Sequence, residues 1–192
     1  MRSLRVVLMW AAAVAAMPGA RYDVMEGNPA SPVKVVIYED LQCGDCLTLR
    51  TLLDEKVLPK YGDRVAFQHR DLPLGRHEWA RPAAIADRWV AEQSNQLGII
   101  MRRELLAQQN SITLQNLQPW LREFAARNRL DQKGIVDALT DPRLSAIVDQ
   151  DIQSAQARGV TKVPAVFVGG VSFTETILYD DLARAIEDAM PR

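Results

Sequence analysis

Two cysteines occur in the 192 residues, Cys43 and Cys46, and both lie in one tetrapeptide, Cys43-Gly44-Asp45-Cys46. Thiols three residues apart fall on one face of a helix, within reach of an intramolecular disulfide. A cysteine at a helix N-terminus faces unpaired amides and the positive end of the helix dipole, so its thiolate is stabilised and its pKa falls below the free value of about 8.5. Cys43 is then the expected nucleophile and Cys46 the resolving thiol. A substrate would pass through a mixed disulfide at Cys43, which Cys46 then displaces. Three other readings compete. A zinc half-site needs further soft ligands, and the only histidines, His69 and His77, lie after the first helix without a closing motif. A structural disulfide around two intervening residues removes little chain entropy. Two unrelated buried thiols are the third reading. Redox chemistry is favoured over all three by a strand-to-helix context, an export-type start and the lack of a competing cysteine.

The elements that must position this pair can be read from hydrophobic periodicity. Residues 21–32 carry Gly27, Asn28, Pro29, Ser31 and Pro32 and read as a lead-in segment with little to bury. Val33 to Tyr38, interrupted only by Lys34, reads as a buried strand. From Cys43 the spacing changes to threes and fours through Cys46, Leu49, Leu52, Leu53, Val57 and Leu58, an amphipathic helix ending near Gly62. Arg64 to Arg70 alternates as a second strand. From about His77 to Arg158 the chain is rich in Ala, Leu, Gln and Arg and reads as helical. Pro82 suits a first helical turn, and breaks are expected near Asn110, Asn128 and Asp141. Trp79, Trp89 and Trp120 read as packing residues. Strand signals return at Pro164 to Val168 and Val171 to Thr174 around a Gly169-Gly170 turn, and Asp180 to Met190 closes as a helix. A right-handed crossover makes the first two strands parallel, and the short turn makes the last two an antiparallel hairpin. The cysteine pair then lies at the carboxyl end of the first strand, the edge where open α/β sheets carry their reactive groups.

Lys and Arg total 23 and Asp and Glu 24, a net charge of -1, so no basic field exists to hold a phosphate backbone and nucleic acid is not an expected partner. The start has Arg2 and Arg5, an apolar run from Val6 to Met17 and small residues before Ala20, the layout of a cleaved export signal over residues 1–20. A buried N-terminal helix is the competing reading. The run is shorter than the roughly 20 residues that span a bilayer, yet an uncleaved membrane anchor stays open. Residues 21–192 are expected to form one domain.

Three stretches together resemble one family: Tyr38-Glu39-Asp40-Leu41-Gln42-Cys43-Gly44-Asp45-Cys46, Arg70-Asp71-Leu72-Pro73-Leu74, and the segment from Gly159 through Val163-Pro164 to Gly170. They are similar to the DsbA-like thiol:disulfide oxidoreductases of the thioredoxin superfamily, bacterial exported proteins. The likeness covers nearly all of residues 27–190. It implies an α/β thioredoxin fold, strand-helix-strand then strand-strand-helix, with a helical insertion at about 77–158. By position it implies that Cys43 is an exposed nucleophile and Cys46 its partially buried partner. It also implies that Pro164 is a cis-proline against the pair, with the backbone of Val163 available to a substrate segment. Asp40 matches an acidic position common in the family, either solvated at the strand end or engaged in proton handling.

The resemblance further implies substrates with cysteine pairs among exported proteins, and a membrane redox partner of the DsbB or vitamin K epoxide reductase type. The location implied is the periplasm or another extracytoplasmic space, the protein is expected as a monomer, and no cofactor or metal beyond the Cys43-Cys46 disulfide is implied. The sequence departs from strong oxidants at Gly44-Asp45, where they carry Pro-His. A carboxylate there opposes the Cys43 thiolate and shifts the couple toward reduction. The expected activity is therefore oxidation of cysteine pairs, with a reductase of the same compartment or a non-catalytic binding module carrying a static disulfide as alternatives.

Overall fold

The structure, a computed structural model, describes residues 23–191. The expected export signal lies outside them. A five-stranded sheet runs in the order β1-β3-β2-β4-β5, with β1 at Val24–Gly27, β2 at Lys34–Glu39, β3 at Ala66–Asp71, β4 at Ala165–Val168 and β5 at Val171–Thr174. Strands β2 and β3 are parallel, from Lys34 opposite Ala66 to Glu39 opposite Asp71, and the other three pairings are antiparallel. This is the thioredoxin arrangement expected from the sequence.

Strand β2 has helices over both faces, which is why its run is apolar almost throughout. Val35 and Ile37 pack with Leu49, Leu53, Val57 and the closing helix residues Leu182 and Ile186. Tyr38 belongs to the other cluster, with Trp79, Ala83, Met101, Leu105, Leu121, Phe124 and Val148. The helix after β2 comprises α1 (Gly44–Leu52), a π-turn at Leu53–Val57 and α2 (Leu58–Tyr61). Pro59 explains the π-turn: it has no amide to give to Glu55, and the Leu58 amide reaches back to the Leu53 carbonyl instead.

Between β3 and β4 stand α3 (Ala80–Gln93), α4 (Asn95–Ala107), α5 (Leu117–Arg127), α6 (Gln132–Asp137) and α7 (Pro142–Ala157), and α8 (Tyr179–Ala189) ends the fold. Asp131 and Asp141 accept the second amide of α6 and α7, at 2.9 and 2.8 Å, each satisfying one otherwise orphaned donor. Trp79 is buried, while Trp89 and Trp120 are half-buried against the same core.

Two readings of the sequence need correction. The lead-in segment contains strand β1, which pairs with β3 from Val24–His69 to Gly27–Ala66 and buries Val24 completely. Four residues are too few for an alternation signal, and Gly27, at φ 77°, ends the strand directly against the turn residues. The expected run of helix through Ser94 is also broken. Ser94 leaves the helical conformation, and its hydroxyl accepts the Leu97 amide at 3.3 Å to start α4.

Candidate active site

Strand β2 ends at Glu39, and Asp40 to Gln42 make the turn that delivers Cys43 to the N-cap of α1. Cys43 is extended there (φ -94°, ψ 126°); its amide donates to the Asp40 carbonyl at 3.1 Å and its carbonyl accepts from Leu47 at 3.2 Å. The thiol is pulled from 9.0 to about 6, first by a hydrogen bond from the Cys46 thiol and then by the amides of Cys46 and Asp45. Burial and the Asp40 carboxylate oppose this shift. The opposite happens at Cys46, where burial, the Cys43 sulfur and the Glu39 carboxylate push the thiol far up. At neutral pH, therefore, Cys43 is a thiolate and Cys46 keeps its proton. Both are free thiols in the structure.

Cys43 is less exposed than expected, with 7% of its surface accessible, and Cys46 is fully rather than partially buried. The cover over Cys43 is the loop before β4: the Val163 carbonyl stands 3.9 Å from the Cys43 sulfur, and the Val163–Pro164 peptide is cis. That loop is tied down by the Glu175 amide on the Pro164 carbonyl at 2.9 Å and by the Lys162–Glu175 ion pair.

Of the remaining expected site residues, Gly44 and Asp45 are exposed on the first turn. A Cβ at Gly44 would meet nothing within 4 Å, so space does not demand glycine there. Asp40 is not solvated. Its side chain is completely buried, with Oδ1 accepting from the Gln42 amide at 2.7 Å and Oδ2 from the Leu74 amide and His77 Nδ1 at 2.7 and 2.8 Å. The Asp40 amide points at the Cys46 sulfur, 3.4 Å away. Among the described residues, no group of three His, Cys, Asp or Glu could hold a metal ion.

Sequence reasoning missed a buried ionic network beside the pair. It runs from Asp54 and Glu26 through His69, Glu39, Arg102, Asp71 and Arg88 to Asp151 and Arg70. Its origin lies in the strand register. Glu39 and Asp71 stand opposite each other on β2 and β3, and like charges so placed repel unless a cation joins them. Arg102 from α4 does so, donating to Glu39 at 3.1 Å and to Asp71 at 2.9 Å. Both carboxyls are held below the usual range, although burial by itself would raise them. His69 lies between Glu39 and Glu26; burial lowers its pKa, and the two carboxylates outweigh that and raise it. Asp87 also binds Arg102, but burial pushes it up to about 6 and its Oδ1 has no partner. The available signal was the pair Asp87-Arg88 in an otherwise apolar, alanine-rich helix face.

A family model described as thioredoxin matches residues 20–188, and the chain belongs to that family. Within it, the fold is that of the DsbA-like proteins. Wolbachia pipientis alpha-DsbA1 superposes with a TM-score of 0.75 at 18% identity, covering 92% of this chain and 93% of that one. BdbD from Bacillus subtilis, in its oxidised form, gives 0.73 at 19% identity over 90% and 95%. ScsC from Proteus mirabilis gives 0.66 at 20% identity over 88% and 73%. A curated Na(+)/H(+) antiporter, NhaA 3 of Salinispora tropica, is 32% identical over 149 residues, which are 77% of this chain and 22% of that protein. The chain thus spans about a fifth of the length of that relative. No helix among the described residues is long and apolar enough to cross a membrane.

Proposed function

We propose that this chain is a thiol:disulfide oxidoreductase that oxidises cysteine pairs in exported proteins, with Cys43 and Cys46 as its own redox group. One observation carries the reading: a thiolate-stabilised Cys43 at a helix N-terminus, beside a buried, protonated Cys46 and under the Val163–Pro164 loop. In the oxidised chain a substrate thiolate attacks the Cys43 sulfur, and Cys46 leaves and takes up a proton. The second substrate thiolate then attacks the substrate sulfur of the mixed disulfide and expels Cys43 as a thiolate. Two electrons pass to the chain for each substrate disulfide formed. The low Cys43 pKa makes that sulfur a good leaving group, which favours the oxidising direction. A membrane partner of the DsbB or vitamin K epoxide reductase type would accept the electrons, and the chain would act as a monomer outside the cytoplasm.

A second reading rests on the Asp40 carboxylate, which opposes the Cys43 thiolate, and on the exposed Asp45 that stands between the cysteines in place of a histidine; both features favour a reductase. Equilibration with glutathione separates the two: an oxidant lies well above the thioredoxin potential of about -270 mV, and a reductase lies near it. In a Cys46→Ala variant the Cys43 thiolate can still run the exchange backwards, attacking a disulfide that a client already carries and expelling one client thiolate. Without the resolving thiol these mixed disulfides should accumulate. If it traps none and the wild type does not oxidise a reduced peptide, the proposal fails and a static binding module is left.

A further inference from the structure

The loop between β3 and α3 grips the active-site turn through side chains as well as backbone. Leu74 donates its amide to Asp40, His77 donates Nδ1 to the same oxygen, and the Trp79 amide donates to the Gln42 side chain at 3.1 Å. Asp40 touches both cysteines by its backbone, accepting from the Cys43 amide and donating toward the Cys46 sulfur. Its carboxylate also opposes the Cys43 thiolate. A buried carboxylate acts on a neighbouring thiolate in proportion to the charge its donors leave uncompensated. Of the three donors on Asp40, two are amides that no substitution removes without changing the backbone. The third is His77, with a side chain 16% exposed at the rim of the site.

We propose that His77 is a positioning residue for Cys43: by donating Nδ1 to Asp40 it compensates the carboxylate and keeps the Cys43 thiolate available. The role rests on the reading of Cys43 as the nucleophile. Because a carboxylate only accepts, the proton lies on Nδ1 of His77, and Nε2 faces away from Asp40. The imidazole therefore acts on the thiolate through Asp40, where a histidine between the two cysteines would act on it directly. Neither Gly44 nor an ionised Asp45 carries a side-chain donor that could do the same.

The test is the pH dependence of Cys43 alkylation in the reduced full-length chain, with the site assigned by mass spectrometry. His77→Ala should shift the midpoint upward and lower the rate at pH 6 by about threefold, while His77→Asn, whose amide can occupy the Nδ1 position, should stay close to wild type. His77→Gln fills the space without that donor and should behave like the alanine variant, so a folding defect in His77→Ala does not decide the matter. Asp40→Asn should raise the rate at pH 6, and adding His77→Ala to it should change nothing further. An unshifted midpoint in both His77→Ala and His77→Gln, or an equal shift on the Asp40→Asn background, would overturn the proposal. A wild-type Cys43 that shows no thiolate titration would instead overturn the redox reading on which it rests.

Discussion

Replacing Cys46 by alanine removes the hydrogen bond that contributes most to lowering the Cys43 thiol from 9.0 to about 6. That lowering corresponds to about 4 kcal/mol between the two protonation states at 1.36 kcal/mol per unit. A hydrogen bond to a charged group contributes roughly 1.5–3 kcal/mol, so its loss should return the midpoint to about 7 to 8, with the helix amides holding the rest. At pH 6 half of the wild-type Cys43 is thiolate, and in Cys46→Ala only about a tenth to a hundredth would be, so the alkylation rate should fall roughly 5- to 50-fold. Cys46→Ser keeps a donor and should stay within about half a unit of wild type. The sign also fixes the redox consequence. A depressed thiol stabilises the reduced fold fully above pH 9, and the gain disappears as the pH falls through 6. At pH 7 about 1.4 kcal/mol remains, which corresponds to about 30 mV toward a stronger oxidant. Stopped-flow or quenched alkylation from pH 4 to 9 measures the midpoint. If Cys46→Ala titrates with the wild type, the thiol hydrogen bond is not what stabilises Cys43.

Further outcomes follow from the same geometry. Asp45→His exchanges an exposed negative charge for a partial positive one, so the couple should become more oxidising by less than about 30 mV, and added salt should shrink the difference; glutathione equilibration at two ionic strengths reads this. Arg102→Leu leaves Glu39, Asp71 and Asp87 buried without their shared cation and should cost about 3–5 kcal/mol in urea unfolding, whereas Lys162→Ala, from an exposed pair, should cost under about 1 kcal/mol. Glu26 is lowered to about 2 by His69 and Arg50 against its burial, so its contribution is present above about pH 4.5 and lost as the pH falls through 2; Glu26→Gln should flatten the unfolding profile over that window. Asp87, raised to about 6 by burial, penalises the fold as pH rises above its ordinary value, so at pH 7 Asp87→Asn should be tolerated far better than Asp71→Asn in thermal melts.

The parts of this fold that periodicity reveals are those that bury a repeating face: β2, the helix from Gly44, β3, the β4–β5 hairpin and the closing helix. Strand β1 escaped because only Val24 carries its burial, and the α3–α4 break escaped because it has no glycine or proline, only the Ser94 cap. The cysteine pair was legible because its chemistry depends on spacing along one helix. Its surroundings were not, since they are joined across the chain: His77 to Asp40 over 37 positions, Arg102 to Glu39 over 63, and Arg70 to Asp151 over 81. A charged residue in a helical stretch reads as solvent-facing until the strand that neutralises it is known. Exposure was misjudged for a related reason: the resemblance set the Val163–Pro164 loop against the pair, but how closely its carbonyl covers the Cys43 sulfur, at 3.9 Å, is decided by tertiary packing.

The arginine that joins β2 to β3 also bears on how the helices and the sheet can change together. Methyl-lined contacts are forgiving: a helix displaced by one turn, about 5.4 Å, trades one set of aliphatic neighbours for another. Arg102 admits no such trade. Its guanidinium meets Glu39, Asp71 and Asp87 at once, and any slip of α4 would take away the one cation that Glu39 and Asp71 share, leaving them to His69 and Arg88 separately. Only one alignment of the helical layer is thus compatible with a filled lock, and the strand that delivers Cys43 shares in it. Transplanting these helices onto a related sheet would require carrying key and keyhole together, the arginines of α3 and α4 with the carboxylates of β2 and β3. Substitutions at those positions should accordingly be inherited as sets.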